Sequence, residues 1–178
     1  MPGPTIVNIL PSSGPTAGGV YVYIHGTGFV LDNTTVTFGG NSATAVEVLD
    51  DNTLRVIVPA GVVGSQDVEV TTPFGTAIRS GGYTYIAAPN ISSILPSSGL
   101  LIGGTVVTIT GTNFISGNTT VTIGGSAAID VLVTDNQTIT AVNPVGNAGA
   151  QDVVVTTPGG SATLPDGFTY VAAPTITG

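Results

Sequence analysis

The sequence predicts an all-β protein made of two tandem copies of one small sandwich domain. The stretch Ile9 to Gly14, ILPSSG, returns 85 residues later as Ile94 to Gly99. The same spacing relates Gly26 and Phe29 to Gly111 and Phe114, Pro59 to Pro144, Asp67 to Asp152, and Ala87 to Pro89 to Ala172 to Pro174. A fixed internal period sets the architecture before any local signal is read. Val, Ile and Thr fill the periodic segments, while Lys is absent and Glu occurs twice, so helix formers are scarce. The 26 Gly and 12 Pro provide turn punctuation for many short strands.

Each copy opens with a strand, Thr5 to Leu10, closed by the rigid turn Pro11-Ser12-Ser13-Gly14, where Pro fixes φ and the serines can bond their own backbone. Gly18 and Gly19 release a second strand, Val20 to His25, which Gly26-Thr27-Gly28 ends; Phe29 is expected to plug the core. The third strand is Thr34 to Phe38, stopped by Gly39-Gly40, and the fourth runs over Ala45 to Leu49. After the turn Asp50-Asp51-Asn52, the fifth alternates Leu54, Val56 and Val58 inward with Arg55 and Ile57 outward, and Pro59 ends it. The sixth is Asp67 to Thr72, Pro73-Phe74-Gly75 is a tight turn, and the seventh finishes at Tyr83 to Ile86.

The second copy repeats the series from Asn90 to Val171. Seven turn-bounded strands in about 85 residues predict a Greek-key sandwich of immunoglobulin type. The expected division is residues 1–87 and 88–173 as two domains, with 174–178 as the start of a third repeat strand or a tail. The junction Ala87-Ala88-Pro89 is short and Pro-stiffened, so the domains are expected end to end as a semi-rigid rod.

The ordered series P-x-I-x-x-I-x-P-S-S-G, G-G, G-T-x-F, V-T-x-G-G, V-T-T-P-x-G and F/Y-T-Y resembles the bacterial type of IPT/TIG domain, in both copies and over nearly the whole chain. The resemblance implies an early-set immunoglobulin-like sandwich, used in bacterial surface proteins, phage virion proteins, polysaccharide-acting enzymes, receptor ectodomains and some transcription factors. It implies no chemistry of its own. The transcription-factor branch uses basic loops that this chain lacks, and the receptor branch is typically cysteine-bearing, so both fit poorly.

Ten acidic groups stand against Arg55 and Arg79, a formal net charge of −8. That balance repels phosphate backbones and anionic membranes, which excludes nucleic acid as an expected partner. With no Cys there is neither a disulfide nor a thiolate metal site. No apolar run approaches the roughly 18 residues of a spanning helix. Met1 to Pro4 shows no signal-peptide pattern, so the chain is expected either to be released where it is made or to be a piece of a longer secreted protein.

The differences between copies nominate the sites. Tyr21, Tyr23 and His25 replace Val106, Thr108 and Thr110 at period two on the outer face of the second strand. Such a stripe can stack on a sugar ring or anchor a protein, against the plainer reading of a locally packed surface strand. Phe74 replaces Gly159 at a loop tip, expected at the pole where the chain enters, either for a partner or folded down on Leu31. Leu100-Leu101-Ile102 replaces Pro15-Thr16-Ala17 and puts three apolar residues in one loop.

Asp50-Asp51-Asn52 and Asp135-Asn136-Gln137 lack EF-hand spacing and read as Asx turns, so calcium is not expected. His25 is the only histidine, which leaves a zinc site or a Ser-His-Asp triad without companions. No catalytic residue, metal or cofactor is expected. The function expected is a non-enzymatic structural or adhesion module on an assembled surface, foremost a phage virion component such as a capsid decoration or tail fibre. The alternatives are a bacterial adhesin fragment and a carbohydrate-binding module. The partner is a capsid or tail subunit, a neighbouring surface domain or a polysaccharide, and the location a virion, cell-surface or extracellular one.

Overall fold

The computed structural model describes residues 2–174, so the tail expected to begin a third repeat lies almost wholly outside the described residues. The chain forms two compact units, Met1–Ala87 and Ala88–Gly178. In the first, β1 (Thr5–Leu10), β2 (Ser13–Pro15), β3 (Tyr21–Thr27), β4 (Thr35–Phe38), β5 (Asn41–Ser42), β6 (Thr44–Asp50), β7 (Thr53–Ile57), β8 (Gly64–Thr72) and β9 (Gly75–Ile86) build two sheets. Their orders are β1-β3-β7-β6 and β2-β9-β8-β4-β5. This is the immunoglobulin-type Greek key that the sequence predicts.

The second unit repeats it with β10 (Asn90–Leu95), β11 (Ser98–Leu100), β12 (Val106–Thr112), β13 (Thr120–Ile123), β14 (Ser126–Ala127), β15 (Ile129–Asp135), β16 (Thr138–Val142), β17 (Gly149–Thr157) and β18 (Gly160–Val171). Its sheets are β10-β12-β16-β15 and β11-β18-β17-β13-β14.

Among the described residues each unit has nine strands rather than the expected seven. Half of the expected turn at Ser13-Gly14 is strand: β2 lies parallel to β9, pairing Ser13 with Thr84 and Pro15 with Ile86. The chain thus changes sheets between β1 and β2, at the cis bond preceding Pro11, and Pro96 does the same. Strand β3 also runs on through Gly26 and Thr27 instead of ending at His25.

Period-two alternation buries Val22, Ile24, Leu54, Val56, Val58, Val68 and Val70, and Phe29 plugs this core as expected. Phe38, Tyr83 and Tyr85 form an edge-to-face chain with ring centroids 5.2 and 5.1 Å apart. The Tyr85 hydroxyl donates to the Pro59 carbonyl at 2.7 Å, and Tyr170 does the same to Pro144. Each bond ties the last strand to the segment leaving β7 or β16, strands of the opposite sheet. Gly26 sits where a Cβ would overlap the Thr5 carbonyl and the Phe29 ring, and Gly111 meets Asn90 and Phe114 in the same way. Glycine is therefore required for β1 to approach β3 that closely.

Candidate functional site: an outer sheet face and two loops

Strand register assembles the candidate residues of the first unit. Tyr23 pairs with Leu10 on one side and Arg55 on the other, and Arg55 pairs with Glu47, making a row across four strands. His25 lies between Asn8 and Thr53, and Tyr21 beside Ile57. The outward alternation expected for Tyr21, Tyr23 and His25 is present: both tyrosines are about half exposed and His25 is intermediate.

Arg55 organises this face, and the sequence reading did not include it in the site. Its guanidinium stands 5.0 Å from the Tyr21 ring centroid, and its Nη2 and Nε donate to one Glu47 carboxylate oxygen at 2.6 and 3.0 Å. The Glu47 hydrogen bond and charge are the main cause that holds the Arg55 pKa above its ordinary value. A cation over a tyrosine face, itself held by a carboxylate, fixes the ring at reduced entropy cost. One face of Tyr21 is thereby occupied. In the second unit Thr140 and Leu132 hold the places of Arg55 and Glu47, so comparison of the copies could have found the pair.

Phe74 is half exposed at the β8–β9 turn, where its carbonyl lies 3.2 Å from the position of a Cβ on Gly3. Gly28 flanks the same entering segment, which places both loops at that pole. A shallow apolar hollow there is lined by Pro2, Phe29, Val30, Leu31, Asp51 and Asn52, without Phe74.

The Leu100-Leu101-Ile102 loop is unevenly exposed. Leu101 is half-buried against the core of the second unit, whereas Ile102 and Leu100 are exposed, at 76% and 43%. Backbone bonds join this loop to two further exposed apolar residues: the Leu101 N–H donates to the Val171 carbonyl at 3.2 Å, and the Gly146 N–H to the Leu101 carbonyl at 3.0 Å, beside Val145. Val145 stands where the first copy has Ala60, a difference that pointed to it.

Four of the acids close turns or hairpins. Asp50 accepts the Asn52 N–H at 2.7 Å and Asp135 the Gln137 N–H at 2.8 Å, closing Asx turns. Asp67 accepts the Gly81 N–H and Asp152 the Asp166 N–H, each across a bulged hairpin. Among the described residues no three His, Cys, Asp or Glu side chains converge as a metal site. No helix among them is long and apolar enough to cross a membrane.

A family model described as IPT/TIG domain matches the chain twice, over residues 4–86 and 89–170. Human fibrocystin-L is 33% identical over 154 residues, covering 85% of this chain, and Plexin-2 of Caenorhabditis elegans is 28% identical over 183 residues, covering 97%. The chain spans only 4% of the former and 10% of the latter. Among solved structures, the full extracellular region of Plexin A4 superposes with a TM-score of 0.58 at 25% identity, over 98% of this chain and 16% of that one.

Proposed function

Because the chain belongs to the IPT/TIG domain family, we propose that it works as a non-enzymatic module displayed on an assembled surface, where it holds a partner without chemistry. The observation that carries this reading is the contrast between the two units. Their buried positions correspond at the 85-residue period, with Val58 replaced by a buried Asn143. Exposed aromatic and apolar exchanges occur at Tyr21, Tyr23 and His25 on one sheet face and in the loops of Phe74 and Leu100 to Ile102. Four of the ten acids, Asp50, Asp67, Asp135 and Asp152, close turns and hairpins. The extracellular setting of Plexin A4 supports display outside the cell.

The finer form of the proposal is a phage virion component, a capsid decoration or tail-fibre protein whose partner is a capsid or tail subunit. Its support is the cysteine-free duplicated core, which folds without an oxidising compartment and so suits assembly inside a cell. Purified chain mixed with particles should co-sediment stoichiometrically, and replacing Ile102→Asp with Phe74→Asp should release it. Recovery of the chain only in the supernatant would reject the virion reading and favour a bacterial surface protein.

The Tyr21–Arg55–Tyr23 cluster favours a second reading, a polysaccharide platform. A ring held in place loses little entropy on stacking, and base-free sugar faces suit exposed Tyr. In a polysaccharide pull-down, Tyr21→Ala with Tyr23→Ala should cut retention at least tenfold; unchanged retention would remove this face from consideration.

A further inference from the structure

The ion pair on the β1-β3-β7-β6 face is built in a way that stability does not explain. Arg55 leaves its own row, Leu10–Tyr23–Arg55–Glu47, to stand over Tyr21. Both of its bonding nitrogens meet the same Glu47 oxygen, Oε2, whereas a fork-to-fork pair gives each nitrogen a separate oxygen. The other oxygen, Oε1, has no partner among the described residues, and the guanidinium keeps N–H groups to spare. The two side chains are 39% and 49% exposed, and a pair so open to water adds little to stability. The second unit folds without it. There Val106 stands for Tyr21, and the row is Leu95, Thr108, Thr140 and Leu132, apolar at its exposed ends.

What the pair offers is a free acceptor and free donors side by side, next to two exposed tyrosine rings. A sugar hydroxyl both donates and accepts, so neighbouring hydroxyls of one ring can donate to Oε1 and accept from Arg55. The C–H face of the same ring is apolar and suits a tyrosine held in place. A carboxylate or sulfate only accepts, and beside Arg55 it would meet the Glu47 charge. The chain has one other cation, Arg79, which donates to the Val7 carbonyl at 2.7 Å, and its net charge is −8. Anionic polymers are thus repelled both at this face and on approach to it.

Resting on the polysaccharide reading above, we propose that this face takes uncharged polysaccharides and that Glu47 and Arg55 determine that specificity. Together they hold neighbouring hydroxyls of one sugar residue while tyrosine carries its C–H face. Glu47 has a second part: by neutralising Arg55 it turns away uronic-acid and sulfated polymers.

Native affinity electrophoresis of the full chain tests this, with hydroxyethyl cellulose, xyloglucan or galactomannan in the gel against polygalacturonate. A neutral polymer should retard the wild type, and polygalacturonate should not. Arg55→Thr with Glu47→Leu, the residues of the second unit at these places, should keep the thermal midpoint. The same double variant should bind about tenfold more weakly, the worth of one hydrogen bond to a charged group. Glu47→Gln frees the guanidinium, so it should lower neutral binding and admit polygalacturonate, which decides the matter if the double variant unfolds. Equal retardation of the wild type by neutral and anionic polymers would overturn the proposal. So would a folded double variant that binds as the wild type does, or a Glu47→Gln chain that still ignores polygalacturonate. In those cases the tyrosine platform stands if Tyr21→Ala with Tyr23→Ala abolishes retardation. No retardation in any gel would overturn the proposal and the platform together, leaving the face to a protein partner.

Discussion

Tyr83 and Phe168 hold the same place in their units, and only the first carries a hydroxyl. That oxygen is buried without a hydrogen-bond partner, pressed toward Gly14. An unpaired buried hydroxyl costs about 1–3 kcal/mol, and the second unit shows that the site accepts a plain ring. Tyr83→Phe should therefore stabilise the first unit by about 1 kcal/mol, read as a higher denaturant midpoint with an unchanged slope. A lower midpoint would mean that the hydroxyl has a partner. The outward stripe Tyr21-Tyr23-His25 was legible in the sequence because alternation in a strand is a local rule. The exchange of Arg55 and Glu47 for Thr140 and Leu132 marked the two positions, but not their contact: Glu47 reaches Arg55 through a hairpin bulged on both sides of it, and such register cannot be read from spacing.

Strands bounded by Pro, Gly and Asx were read closely, β1 to the residue. Those set by distant pairing were missed. Ser13–Pro15 has the composition of a turn and becomes strand only because β9, some seventy residues later, offers it a parallel edge. Likewise Ser80-Gly81-Gly82 looks like a break, yet β9 runs through it by bulging opposite Asp67, whose carboxylate takes the Gly81 N–H at 2.8 Å. The glycine that ends the expected second strand is, in the structure, the point where β1 crosses it. Gly26→Ala would drive a methyl group into the Thr5 carbonyl, and backbone cannot yield as a flexible side chain can. A loss of about 3 kcal/mol or more is expected from overpacking against backbone, against about 1–2 kcal/mol for Gly40→Ser, where space is open but the positive φ strains any side chain. Thermal midpoints of the two variants measure the difference.

Across the whole molecule, the duplication served well as a guide to the fold and less well as a guide to function. Treating the second copy as the plain version hid its own apolar face, because Val, Ile and Thr are ordinary strand residues whether they point in or out. The structure also shows where the two units differ in response to pH. Burial raises the hydroxyl pKa of Tyr85 in the first unit and of Tyr170 in the second, a matched pair. Tyr83 has no counterpart, and burial, aided by Tyr85, raises it from 10.0 to about 12. A raised acid pKa means that the folded state keeps a proton the unfolded chain has released. The associated stability is thus complete below pH 10 and is lost as pH rises toward and through about 12. Two pH units correspond to roughly 2–3 kcal/mol, and this loss falls on the first unit alone. Thermal midpoints measured from pH 9 to pH 12 should fall more steeply for the wild type than for Tyr83→Phe, with the two curves diverging above pH 10. Parallel curves would show that the Tyr83 hydroxyl ionises in the folded unit as freely as in the unfolded chain, and with that the buried, partnerless oxygen would be refuted as well.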